Sequence, residues 1–125
     1  MCKVNNMYQL ILLTLLSAYT SSSDKRMLLI FADKASNPAL KEQMQALKAD
    51  TKGLAERDVE IHTYYGDRDI KMFKDKKIRS NYTVILVGKD GGDKMRVTSP
   101  VTLKTLFSTI DEMPMRQAEM ARLTK

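Results

Sequence analysis

Thiol chemistry is the first thing this sequence withholds: its 125 residues contain one cysteine, Cys2. A structural disulfide, a Cys-x-x-Cys redox pair and a zinc-thiolate centre all need sulfur that is absent. Tryptophan is missing and His62 is the lone histidine. One imidazole flanked on its strand face by Glu60 and Tyr64 does not make a zinc site, and no Ser-His-Asp spacing surrounds it. A continuous apolar stretch of membrane-spanning length, about 20 residues, is also lacking.

The longest apolar run, Leu10 to Leu16, follows Lys3 and precedes the small and hydroxyl residues that lead to Ser23. That three-part pattern predicts a secretory signal peptide over residues 1–23, cleaved between about Thr20 and Ser23, ahead of a domain over residues 24–125. An anchoring N-terminal helix is the rival reading. No cysteine follows the run, so a lipid-anchored processing site is not visible. Cleavage removes Cys2 and with it the thiolate nucleophile, leaving an exported, periplasmic or extracellular domain. Loss of Lys3 leaves 20 basic against 15 acidic residues, a net charge of +5. Such a charge favours anionic surfaces, and for an exported protein an acidic glycan or another protein ranks ahead of nucleic acid.

Composition is that of an ordinary globular domain, 43% hydrophobic and 29% charged. "RMLLIFAD" reads as a strand covered on both faces. Asn37 then caps, Pro38 occupies the first helical turn, and Leu40, Met44, Leu47, Thr51 and Leu54 form an apolar stripe, with Gly53 as a left-handed C-terminal cap. "DVEIHTYY" alternates, with Val59, Ile61, Thr63 and Tyr65 on one face. "GDRDIKMFKDKKIR" opens with acids, closes with bases and buries Ile70, Phe73 and Ile78, as a helix. "YTVILVG" is a buried strand that turns through "KDGGDK" into a short strand around Met95 to Val97. Ser99 and Pro100 open a helix carrying Leu103, Leu106, Phe107 and Ile110, and Pro114 starts another turn or helix. The expected fold class is α/β, thioredoxin-like, β-α-β-α-β-β-α, with a central mixed sheet flanked by helices.

Several segments are candidate sites. The loop with Asp33, Lys34, Ser36 and Asn37 lies at a helix start and is placed to hold a carboxylate or phosphate, although Asn37 already offers the free N–H groups a partner. Lys71, Lys74, Lys76, Lys77 and Arg79 concentrate positive charge, and with Lys89, Lys94 and Arg96 nearby they would form a patch for an acidic glycan. "GKDGGDK" has a glycine pair between two lysines but neither the Walker spacing nor a following helix, so it reads as a hairpin turn. Asp67/Asp69 and Asp90/Asp93 match no calcium loop and serve as cap and turn residues. Met113, Met115 and Met120 are the soft ligands of a conceivable Cu(I) site, against the commoner role of core filler. The Asn81-Tyr82-Thr83 sequon matters only in a eukaryotic secretory pathway. No cofactor is called for by any pattern.

"IRSNYTVILVGKDGGDKMRV" resembles the part of thioredoxins in which a cis proline introduces the third strand and faces a Cys-x-x-Cys at the start of the first helix. Tyr82 stands at the proline position and "ADKASNPA" at the thiol position, so both halves of the redox site are absent. The peroxidatic pattern of peroxiredoxins is not met there either. A closer resemblance, over Arg26 to Met120, rests on "RMLLIFA", "NPAL", "LAERDVEI", "VILVGKDGGDKMR" and "LFSTIDEMPMRQAEM". These segments resemble the domain of unknown function 4174 family, found as exported bacterial single-domain proteins and within sushi-repeat-containing extracellular proteins. The resemblance implies a thioredoxin-like or peroxiredoxin-like fold and export, and carries over no catalytic residue. The expected function is a non-catalytic exported binding domain; the alternative is a thiol-independent oxidoreductase or peroxiredoxin-like enzyme with a bound cofactor or metal.

Overall fold

Five consecutive residues without a charge, Leu28 to Ala32, are at most 3% exposed, which places their strand at the centre of the fold. This is β1 (Arg26–Ala32) in a computed structural model that describes residues 24–124. The expected leader and Cys2 lie outside the described residues. β1 is followed by α1 (Pro38–Lys48), α2 (Thr51–Glu56), β2 (Val59–Tyr65) and α3 (Ile70–Asp75). The hairpin β3 (Tyr82–Val87) and β4 (Asp93–Val97) comes next, then α4 (Leu103–Asp111) and α5 (Pro114–Leu123).

The strands form one sheet in the order β2-β1-β3-β4. β2 runs parallel to β1, as a pair joined by a helical crossover must, whereas β3 is antiparallel to both β1 and β4. Alternation then sorts the apolar side chains into two layers. Leu28, Ile30, Val84 and Leu86 meet Leu40, Leu47, Leu54, Leu106 and Ile110 from α1, α2 and α4 on one face. On the other, Leu29, Phe31, Ile85 and Val87 meet Met72, Phe73 and Ile78 from α3 and the residues after it. Phe31 lies 5.1 Å from the Tyr64 ring, stacked, and 5.3 Å from Phe73, edge to face. Each fully buried aliphatic side chain contributes about 1.5–3 kcal/mol, so this two-sided covering of β1 and β3 dominates stability.

A buried polar side chain crosses the main apolar layer. Gln43, on the inward face of α1, is fully buried. Its Nε2 donates to the Val101 carbonyl at 2.9 Å, and its Oε1 accepts from Val101 N–H at 2.7 Å and from the Tyr82 hydroxyl at 3.0 Å. It therefore ties α1, the start of β3 and the approach to α4 together. Burial, with a smaller contribution from Glu42, pushes the Tyr82 phenol well above its ordinary pKa, which keeps it a donor.

Three expectations change. The first helix does not run through Gly53 to a left-handed cap. It stops at Lys48, and Asp50 opens α2 by accepting the Gly53 N–H at 2.8 Å, an interaction that competes with helix continuation. The left-handed residue is Asp58, with φ 54°. Ile70, the first residue of α3, is 57% exposed, and the groups that this six-residue helix packs inward are Met72 and Phe73. Lys77, at φ 54°, ends it, with Ile78 N–H reaching back to the Phe73 carbonyl at 2.9 Å. The fourth helix is capped by Thr102, whose hydroxyl accepts Thr105 N–H, instead of starting at Ser99 and Pro100.

Gln43→Leu strands three buried groups and should destabilise the protein by about 3 kcal/mol or more in chemical denaturation, against about 1 kcal/mol for Tyr82→Phe. Gly53→Ala should invert the usual helix preference, in which Ala is favoured by about 1 kcal/mol. A Cβ there would sit 2.5 Å from Asp50 Oδ2 and 2.9 Å from Phe107 Cε2, so thermal unfolding should show a loss of stability.

Candidate functional site

The loop between β1 and α1 is closed on itself. Asp33 Oδ1 accepts from Lys34 N–H at 2.9 Å and from Asn37 Nδ2 at 2.7 Å. Asn37 Nδ2 also donates to the Asn81 carbonyl, and its Oδ1 accepts Ala39 N–H at 2.8 Å. Asn37 is buried while Lys34 and Ser36 face solvent. The helix N-terminus at this position is thus occupied by its own cap. In the adjoining sequon Thr83 is buried and its hydroxyl pairs with Ser80 at 2.6 Å.

The basic residues separate into two groups. Lys71, Lys74, Lys77 and Arg79 are exposed on and just after α3. The last three line a shallow depression of about 340 Å³ together with Ile70 and Phe73. Arg96 on β4 joins them by donating to the Lys77 carbonyl at 2.9 Å, which holds the left-handed turn in place. Lys76 lies 3.6 Å from Asp93. Lys89 and Lys94 are elsewhere, at the β3–β4 turn. There Lys94 Nζ contacts Asp90 at 2.8 Å, and Asp90 Oδ1 accepts Gly92 N–H. The Lys94 hydrogen bond is the first cause that lowers the Asp90 pKa, followed by the Gly92 N–H.

Lys89 belongs to an ion-pair network at the N-terminal end of β1. Its Nζ bridges Asp58 at 2.9 Å and Glu119 at 2.8 Å. Glu119 receives both terminal nitrogens of Arg26, at 3.3 and 3.1 Å, and Arg26 also donates to the Arg57 carbonyl. Arg116 contacts Glu119 at 3.6 Å and Asp111 at 3.3 Å. Asp111 in turn takes a two-bond grip from Arg57, both at 3.0 Å, and the Arg57 guanidinium lies 3.9 Å over the Phe107 ring. The one buried residue of α5 is Arg116, so this helix docks through charge and not through an apolar stripe.

Hydrogen bonds set the titration of these groups. The one from Lys89 is the leading cause that holds Asp58 below the ordinary carboxylate range, and the one from Arg57, then Arg116, does the same for Asp111. Burial opposes ionisation of Glu119, but the hydrogen bonds from Arg26 and Lys89 outweigh it and lower its pKa to about 2. Burial likewise opposes the charge on Lys89, and its two carboxylate partners reverse the balance and raise its pKa.

Of the methionines, Met113 packs against the main core and Met115 is 49% exposed. Both line a cleft at the start of α5 with Lys89 and Lys94, and Met120 is not among its wall residues. His62 Nε2 lies 2.9 Å from Glu60 Oε1 on the outer strand. No group of three or more His, Cys, Asp or Glu side chains able to hold a metal occurs among the described residues. Sequence reasoning left out Arg26, Arg57, Asp111, Arg116, Glu119 and Gln43. Gln43 had a signal, a polar residue within the stripe of Leu40, Met44 and Leu47. Arg26, Arg57 and Asp111 sit at element ends and Arg116 and Glu119 within a largely polar helix, where charge is ordinary.

The sheet order, the helices on both faces and the empty thiol positions define a thioredoxin-like α/β domain without a redox pair. The chain belongs to the family described as Domain of unknown function (DUF4174), whose model matches residues 18–119. Among solved structures it is similar to thioredoxin-2 of the malaria parasite, at 18% identity and a TM-score of 0.61 over 71% of this chain and 84% of that one. The Fasciola hepatica thioredoxin matches at 17% identity and TM-score 0.57, over 77% and 88%. The reduced 2-Cys peroxiredoxin of Plasmodium vivax matches at 14% and 0.61, over 82% and 83%. No curated protein sequence matches significantly. No helix among the described residues is long and apolar enough to cross a membrane.

The sign of the pH dependence follows from Glu119. A carboxylate whose pKa falls on folding, here from 4.5 to about 2, adds stability that is complete above the higher value and is lost as the pH drops through the lower. Its share is at most about 3 kcal/mol. Denaturation midpoints should fall steeply between pH 4.5 and about 2. Glu119→Gln should be less stable at neutral pH by about 3 kcal/mol, and its acid slope should be shallower.

Proposed function

We propose that this protein is an exported, non-catalytic binding domain whose ligand is an acidic polymer, with the face made by α3 and β4 as its contact surface. The observation that carries the reading is a contrast among cations. Arg26, Arg57, Lys89 and Arg116 are each matched to carboxylates, whereas Lys71, Lys74, Lys77, Arg79 and Arg96 pair with none among the described residues. Unpaired charge concentrated on one exposed face attracts a polyanion with little desolvation cost. The depression between Lys74, Lys77 and Arg79 contributes apolar contact from Ile70 and Phe73, which suits a sugar polymer with sulfate or carboxylate substituents.

The non-catalytic part of the reading is supported by the absence of cysteine from residues 24–125 and by the loop at α1, whose polar groups satisfy one another. Export is supported by the leader pattern over residues 1–23.

An amide-resolved NMR titration of the full chain with a sulfated polysaccharide tests this. Shifts should cluster at positions 71–79 and around Arg96 and weaken as salt is raised. Replacing Lys74, Lys77 and Arg79 together by Gln should lower affinity by about tenfold or more. Shifts spread evenly over all lysines, or unchanged affinity in the triple variant, would remove this face from consideration.

A further inference from the structure

β2 is an end strand of the sheet, and two hydrogen bonds show which of its main-chain groups face outward. Arg26 N–H donates to the Asp58 carbonyl at 2.7 Å, and Gly66 N–H donates to the Ala32 carbonyl at 2.9 Å. In a parallel ladder these bonds turn the main-chain groups of Glu60, His62 and Tyr64 toward β1 and those of Val59, Ile61, Thr63 and Tyr65 away from it. Tyr65 is closed by the loop that follows: its N–H donates to Asp69 Oδ2 at 2.8 Å, and its carbonyl accepts from the N–H groups of Arg68 and Asp69. The outward groups of Val59, Ile61 and Thr63 have no such partner among the described residues.

The two edges of the sheet differ in how they meet solvent. β4 carries Asp93, Lys94 and Arg96, and its pairing with β3 is irregular at Leu86 and Val87, features that deter the addition of another strand. β2 pairs with β1 in unbroken register from Val59 to Tyr65 and contains neither Pro nor Lys. Its outward positions Val59, Ile61 and Thr63 are β-branched, the residues that fit a strand with neighbours on both sides.

We infer that two copies of this chain associate through their β2 edges, antiparallel, about a two-fold axis at Ile61. The open groups dictate this register. Ile61 lies opposite the second copy's Ile61 and Val59 opposite its Thr63, so every open residue exchanges both main-chain bonds with another open one, and the pairing stops where Tyr65 is closed. Charge complementarity selects the same register. Glu60 and His62, with side chains 53% and 36% exposed, lie 2.9 Å apart on one face of β2. The axis at Ile61 sets each Glu60 opposite the second copy's His62 in the closely spaced pairs that carry no main-chain bonds. Moving the axis to Glu60 or to His62 would instead set carboxylate against carboxylate or imidazole against imidazole. The charges that flank the segment are ion-paired within their own chain, Arg57 to Asp111, Asp58 to Lys89 and Arg68 to Asp69, and Asp67 is exposed in the turn beyond.

Amide hydrogen exchange of the full chain, read residue by residue at about 20 µM and about 1 mM in moderate salt, tests this together with sedimentation velocity. A dimer should form with a dissociation constant of about 50 µM, as suits a short edge-to-edge contact. On concentration the Ile61 and Thr63 amides should slow severalfold, whereas those of Glu60, His62 and Tyr64, bonded to β1, should be protected at both concentrations. Glu60→Lys should weaken the dimer severalfold, and the further change His62→Glu, which restores opposite charges across the axis, should bring the affinity back to the parent value or above it. Thr63→Pro removes an outward N–H where an edge strand tolerates proline and should leave a monomer; the charge pair decides the question even where that variant does not fold. Ile61 and Thr63 protected equally at both concentrations would mean that the edge is covered within one chain. A monomer with both amides unprotected at about 1 mM would mean that the edge takes no second copy. A dimer indifferent to the charge pair uses another surface, and each of these three results overturns the proposal. No variant touches positions 71–79 or Arg96, so the polyanion reading is judged separately.

Discussion

The pairing of a buried guanidinium with a carboxylate from the far end of the chain governs how this domain closes. Arg26 opens β1 and Glu119 lies in α5, 93 positions later, and their two-bond contact is sheltered from water. Apolar packing accounts for the rest of the fold, but α5 has no apolar stripe with which to join the core. Its place is set by Arg116 and Glu119 and by the groups these residues reach: Arg26, Lys89, Asp111 and the Glu56 carbonyl. Buried pairs of this kind add little net stability compared with apolar replacements, yet removal of one member leaves a charge with no partner in a region of low polarity. The arrangement therefore specifies geometry more than it adds free energy.

That network gives a physical meaning to the segments that carry the family resemblance. Arg26 begins "RMLLIFA"; Arg57 and Asp58 lie in "LAERDVEI"; Lys89 is in "VILVGKDGGDKMR"; Asp111, Arg116 and Glu119 are in "LFSTIDEMPMRQAEM". Residues that look unrelated along the chain converge on one end of the sheet. "NPAL" contributes the cap Asn37, and the same helix contributes Gln43, the polar tie at the opposite end. Both ends of β1 are thus held by polar side chains, with an apolar middle between them. The positive charges then divide between those consumed in holding the fold and exposed ones without a carboxylate among the described residues, which include Lys71, Lys74, Lys77, Arg79 and Arg96 on and near α3 and β4. Only the second kind is free to attract an outside anion without dismantling the structure.

Much of the architecture was legible before any coordinates. The strands "RMLLIFA", "VEIHTYY" and "YTVILV" announce themselves through continuous or alternating apolar residues, and the Gly91-Gly92 turn fixes the hairpin, with Gly91 at φ 85°. Element ends were harder. Asp50 diverts the chain into a second helix because a carboxylate can take a backbone N–H that the helix would otherwise use, and a periodic stripe through Leu54 hides that competition. Ile70 looked buried because it is apolar and three positions before Phe73, yet it stands at the exposed start of its helix while Met72 and Phe73 make the contact with the sheet. The basic residues were visible as a set, but which of them share a face depends on the turn at Lys77 and on the register of β4 against β3.

The sequence by itself determined the absence of a cysteine pair, the α/β class and the positions of the central strands, since each follows from composition or from local periodicity. Tertiary structure alone decided which charges are spent inside the fold and which are left exposed at the surface. Ion pairing is a matter of distances of a few ångströms between residues tens of positions apart, and no local pattern encodes that Lys89 meets Glu119 while Lys77 meets no carboxylate among the described residues. The open donor of Arg26 has the same origin: its strand position is plain in the sequence, but the missing acceptor becomes apparent only when α5 and the hairpin are folded around it.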